Sequence, residues 1–70
     1  MISTYVIEDS TESAVEYFRT LSDAKRFVVR NFDKGFSILS LRGQNFGEGF
    51  HRFRYRLKNN VTFSREKLQG

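Results

Sequence analysis

Residues 50–58 read Phe-His-Arg-Phe-Arg-Tyr-Arg-Leu-Lys, and that alternation limits the fold more than any other stretch of the chain. In a strand successive side chains leave on opposite faces, so Arg52, Arg54, Arg56 and Lys58 share one side and Phe53, Tyr55 and Leu57 the other. The segment predicts a sheet with one packed face and one wet face that carries a cationic ladder. The cations repeat at about 6 to 7 Å, twice the rise per residue, close to the phosphate step of a nucleic-acid strand.

Seventy residues predict a single domain, 1–70, near the size at which one hydrophobic core is only just adequate. With no cysteine there are no disulfides and no thiolate ligands, and one histidine cannot assemble a zinc site, so no metal or cofactor is expected. Cohesion falls to packing, chiefly of eight Phe and three Tyr. The start of the chain carries no basic stretch followed by an apolar run, and no stretch approaches bilayer length. The expected setting is the cytoplasm, without a membrane partner.

Charge is divided unevenly. Residues 1–24 carry Glu8, Asp9, Glu12, Glu16 and Asp23 against Arg19 alone, a balance of −4; residues 25–70 carry eleven Lys or Arg against Asp33, Glu48 and Glu66, a balance of +8. A basic lobe of this kind attracts acidic partners such as nucleic acid or an acidic protein surface. The alternative is that the acidic segment folds against the basic one and cancels it.

In chain order, Ser3–Ile7 is rich in β-branched and aromatic residues and predicts a first strand, followed by a turn at Asp9–Glu12. Residues 12–32 are open to two readings. Ala14, Val15, Phe18, Leu21, Val28, Val29 and Phe32 fit one long helical stripe, but Ser22 followed by Asp23 reads as an N-cap with an acid in the first turn. The second reading, a strand at about 13–20 and a helix at about 23–32, is preferred. That helix turns Ala24, Phe27, Val28 and Phe32 to the core and Lys25, Arg26 and Arg30 to solvent. Gly35 supplies the positive φ of the reversal that follows. Residues 36–41, apolar on both faces, predict a covered central strand. The glycine-rich connection 42–49 leads into the cationic strand. At the last turn a three-residue loop, Lys58-Asn59-Asn60 with Asn60 left-handed, pairs Leu57 with Val61 and Tyr55 with Phe63, keeping charge and core on separate faces. The sum is an α+β fold, β-β-α-β-β-β, an antiparallel sheet with one helix on its apolar face.

No catalytic signature emerges, and the reading is a non-enzymatic binding domain. Arg52, Arg54, Arg56 and Lys58 are the leading candidates, extended by Arg26, Arg30, Arg42 and Lys34; neutralising several phosphates would give affinity that falls steeply with salt. Phe53 and Tyr55 point away from the arginines and read as core, whereas Phe46 is a candidate interface anchor on the loop. His51, the lone imidazole, reads as an edge residue before a general base. Gly43, Gly47 and Gly49 are not a phosphate-binding fingerprint, since a strand follows and the lysine-serine/threonine ending is missing.

Tyr5-Val6-Ile7, then Thr20-Leu21-Ser22-Asp23-Ala24-Lys25-Arg26 entering the helix, then a basic and aromatic C-terminal hairpin, resembles small phage-encoded inhibitors of host defence, in particular some small type I-F anti-CRISPR proteins. The resemblance implies an inhibitor that binds a host protein or ribonucleoprotein complex and occupies the surface where nucleic acid must lie. Arg52–Leu57 followed by a tight turn is also similar to the central strand of RelE-like messenger-RNA-cleaving toxins, although the N-terminal helical pair of those toxins is missing. Direct binding of DNA or RNA by an accessory protein is the second expectation, ahead of the toxin. Either a monomer or a homodimer is compatible with the sequence, the latter by pairing an acidic first hairpin with a basic last one.

Overall fold

The computed structural model describes residues 5–42 and 51–68, and the backbone alone at Leu41, Arg42 and His51. The elements run β1 (Tyr5–Glu8), β2 (Ala14–Phe18), α1 (Leu21–Arg30), a 3-10 turn (Phe32–Lys34), β3 (Ser37–Arg42), β4 (His51–Leu57) and β5 (Phe63–Leu68). All neighbouring strands pair antiparallel in the order β2-β1-β3-β4-β5. The strand-then-helix reading of residues 12–32 therefore holds. Because β1 lies between β2 and β3, the chain leaves β2, crosses one face of the sheet as α1, and enters β3 on the far side of β1.

The first hairpin is organised by Asp9. Its Oδ1 accepts from the Thr11 backbone N–H (2.9 Å), the Thr11 hydroxyl (2.7 Å) and the Ser13 N–H (3.0 Å), the side-chain mimicry of a backbone turn that makes aspartate a turn residue. Glu12 closes the turn with φ 66°, a left-handed position where glycine is the unstrained choice. The pairing of β1 with β2 then shifts between Ile7 and Glu8. Glu8 pairs with Ala14 and Ile7 with Glu16, so Val15 is the extra residue of a bulge.

The helix begins two residues earlier than the sequence suggested. Thr20, not Ser22, is the N-cap: it is extended at φ −121°, ψ 150°, and its side chain accepts the Asp23 N–H at 3.2 Å. Asp23 still occupies the first turn, where its charge meets the positive helix end. At the other end the Asn31 side chain donates to the Phe27 carbonyl at 2.8 Å, and Gly35 takes the expected left-handed φ of 70°.

The core is small. Ile7, Ala24, Val28, Ile38 and Tyr55 are buried, with Tyr5, Phe18, Leu21, Phe36, Phe53, Leu57 and Phe63 packed around them. Full burial of residues such as Ile7, Ile38 and Val28 contributes about 1.5–3 kcal/mol each. Phe27 meets Phe18 and Phe36 edge to face, with ring centres 5.5 and 5.9 Å apart. Phe32 departs from expectation. The helix ends before it, and in the 3-10 turn the residue is 56% exposed.

The last turn is displaced by one residue. Lys58 donates its N–H to the Thr62 carbonyl at 2.7 Å, so the connection is Asn59-Asn60-Val61, with Asn60 left-handed at φ 76° as predicted. The Asn59 side chain fixes this choice by accepting the Thr62 N–H at 3.1 Å. Leu57 consequently faces Phe63, Tyr55 faces Arg65 and Arg54 faces Glu66, while Val61 is 75% exposed instead of paired with Leu57. A shift of two residues preserves which face each side chain occupies. No helix among the described residues is long and apolar enough to cross a membrane.

Candidate nucleic-acid interface

The strand β4 places Arg52, Arg54 and Arg56 on the face opposite α1, in register with Leu41, Leu39 and Ser37 of β3. They do not form a row of solvated cations. Arg54 is buried, 9% exposed, and its Nη2 donates to Glu8 Oε1 at 3.0 Å while Nη1 lies 3.8 Å from Glu12 Oε2. The register explains the contact. Glu8 and Arg56 both oppose Ser37 across β3, so the small serine side chain leaves Arg54 a diagonal path over β3 to the carboxylate.

The remaining candidates fall in different places. Arg56 Nε is 3.8 Å from Glu66 Oε1, a pair exposed on both sides and worth less than about 1 kcal/mol. Lys58 is exposed at the start of the turn, and Arg52 is half-buried opposite Leu68. Arg26 bonds Asp23 at 3.2 Å and, with Arg30, borders a cleft of about 350 Å³ beside Phe18 and Phe27. Those two helical arginines therefore sit toward β2 and do not extend the β4 patch. Lys34 is exposed in the 3-10 turn. The Arg42 side chain and Phe46 lie outside the described residues.

Three cations that sequence reasoning left out come together on the other face. Residues 63, 65 and 67 of β5 share the side of Phe53, Tyr55 and Leu57. The Arg65 guanidinium carbon lies 5.0 Å from the Phe53 ring centre, and Lys67 is in register with Phe53. From above, Lys25 of α1 brings Nζ to 5.4 Å from the Phe63 centre and 6.0 Å from that of Tyr55. The contact of the exposed Arg65 with Phe53 contributes about 0.5–1 kcal/mol. The signal was present in the alternation Phe63-Ser64-Arg65-Glu66-Lys67, which puts two cations on the aromatic face. Lys25 could not be assigned without knowing where α1 crosses the sheet.

Charge is also segregated across the width of the sheet. The β1–β2 hairpin, residues 5–18, holds Glu8, Asp9, Glu12 and Glu16 and no cation; the β4–β5 hairpin, residues 51–68, holds Arg52, Arg54, Arg56, Lys58, Arg65 and Lys67 against Glu66. β3 separates the two hairpins, and the outermost strands stand about 19 Å apart at ordinary strand spacing. Among the described residues the acidic hairpin is ion-paired to the basic one only where Arg54 reaches Glu8 and Glu12.

No family model matches this chain, and no curated protein or solved structure does either. At the end of the sheet where the loops converge, a cleft of about 430 Å³ is bordered by Ser10, Glu12, Ser37, Arg54, Arg56 and Lys58. The backbone of His51 pairs with Arg42 at the opposite end of β4. At five residues from Arg56 that places the His51 backbone about 17 Å along the strand from this cleft.

Proposed function

We propose that this chain is a non-enzymatic binding protein that engages nucleic acid, free or held in a ribonucleoprotein complex, through its basic β4–β5 edge. The observation that carries this reading is the charge segregation across the sheet. Six Lys or Arg on one hairpin face a single acid there, and only Arg54 is neutralised by burial against the opposite hairpin. Such an edge meets phosphates with favourable Coulomb energy and counterion release. Titration of the protein into labelled single- and double-stranded DNA and RNA at two salt concentrations tests it. Binding that weakens linearly in log-log salt supports the reading, and absence of binding at low salt overturns it.

The phage-type inhibitor of a host nucleic-acid-handling complex is the second reading, and the opposite edge favours it. A surface built to hold nucleic acid is basic, so the complementary side of this protein is the one bearing exposed Glu12 and Glu16, not the arginines. An inhibitor of that kind would lose its partner on Glu12→Lys with Glu16→Lys and keep it on Arg56→Ala with Lys58→Ala.

A further inference from the structure

The cations of the β4–β5 edge are not equivalent. On the face away from α1, Arg54 and Arg56 are each met by a carboxylate, and Arg52, without an ion pair among the described residues, is half-buried opposite Leu68. On the α1 side, Lys25, Arg65 and Lys67 have no ion-pair partner among the described residues, and no acid lies on the β4–β5 half of that face. The helix packs on β1, β2 and β3. It leaves the half of the face formed by β4 and β5 covered by cationic side chains lying on Phe53, Tyr55 and Phe63.

We propose that this half-face, bounded by Lys25 on one side and by Arg65 and Lys67 on the other, is a binding site for single-stranded nucleic acid. The proposal rests on the nucleic-acid reading above and specifies which face performs it. Charge complementarity selects a polyanion, because Lys25, Arg65 and Lys67 lie on one face that carries no acid on its β4–β5 half among the described residues. The exposed Arg65 guanidinium, lying on Phe53, selects a single strand. Splayed bases stack on aromatic rings and on guanidinium planes, whereas a duplex hides its base faces. Arg65 is exposed with one side toward Phe53, which leaves its other side for a base. Arg65 and Lys67, two residues apart on one strand, stand about 6 to 7 Å apart along it, one nucleotide step. The site would thus hold roughly three nucleotides along the length of β5.

Fluorescence anisotropy with a labelled ten-nucleotide single strand and the matching duplex tests the assignment on two variants: Lys25→Ala/Arg65→Ala/Lys67→Ala, and Arg56→Ala/Lys58→Ala. Circular dichroism and thermal melting confirm that each is folded, and Phe63→Leu, which keeps an apolar floor but removes the ring, serves as a milder probe. The expected result is preference for the single strand, loss of at least about tenfold in affinity for the triple variant, and a log-log salt slope reduced by about 2, at roughly 0.7 per phosphate contact. Phe63→Leu should weaken binding severalfold at unchanged salt slope. If the Arg56/Lys58 variant loses binding and the triple variant does not, or if the duplex binds better, the assignment to this face is wrong while nucleic-acid binding stands. If no form binds any oligonucleotide at low salt, both fail together.

Discussion

Arg54 on β4 donates to Glu8 on β1 at 3.0 Å across the intervening strand β3, and both side chains are nearly excluded from solvent. Removing one partner strands the other as a buried charge, which costs about 3–5 kcal/mol, whereas replacing both with apolar residues of similar volume is often neutral. Arg54→Ala is therefore expected to lower the urea midpoint strongly. The double variant Glu8→Leu/Arg54→Met should recover most of the loss. Equal loss in the single and double variants would show that the pair contributes more than the relief of its own desolvation. Charge reversal of Arg52, Arg54 and Arg56 together would put a second carboxylate against Glu8, so binding variants should leave Arg54 in place.

Ser40 lies fully buried on the α1 side of β3, between Tyr5 and Phe53 in register, and its hydroxyl has no hydrogen-bond partner among the described residues. Deleting an unsatisfied hydroxyl removes a desolvation penalty of about 1–3 kcal/mol at the cost of a very small void. Ser40→Ala should raise the melting temperature. A fall would indicate that the hydroxyl is paired in solution.

Glu12 holds φ 66° at the end of the first turn and touches Arg54 only at 3.8 Å from a side chain that is mostly exposed. The left-handed conformation costs a residue with a Cβ about 1–2 kcal/mol, more than so exposed a charge contact returns. Glu12→Gly is expected to stabilise the fold by up to about 1 kcal/mol in chemical denaturation. A loss of stability would mean that the Glu12 charge contributes more to the Arg54 cluster than its exposure implies.

The hydrogen bonds from Thr11 and Ser13 hold the Asp9 carboxyl below its ordinary value of 3.8, the Thr11 hydroxyl being the largest cause. A carboxylate with a lowered folded value binds fewer protons folded than unfolded between the two values. Its stabilisation is thus complete above the ordinary value and lost as the pH falls through the folded one. Melting curves of the natural chain and Asp9→Asn should converge as the pH is lowered below 3.8, and a gap independent of pH would remove the charge from the account.

Much of this architecture is legible in the residues themselves. The alternation at 52–58 shows which side of β4 is charged, and Gly35 and Asn60 mark their reversals. What single-chain periodicity does not carry is depth. Nothing near Arg54 in sequence distinguishes it from Arg52 or Arg56, because its partner lies 46 residues away and is reached only through the order β1-β3-β4. The cap moved from Ser22 to Thr20 for a related reason: both residues suit the role, and the tertiary direction of the chain leaving β2 decides between them. Register at the last turn depended on the Asn59 side chain bonding Thr62, a local competition that face segregation alone does not resolve, since a slip of two leaves every face unchanged.

The separation of acidic and basic hairpins by β3 makes the molecule an electric dipole lying in the plane of its sheet. In the field of a polyanion it experiences a torque before it makes any contact, and it would arrive with the β5 edge leading and β2 trailing. Added salt would then slow productive encounters by two routes, weaker attraction and poorer alignment, and the association rate would fall faster than the net charge of +4 alone implies.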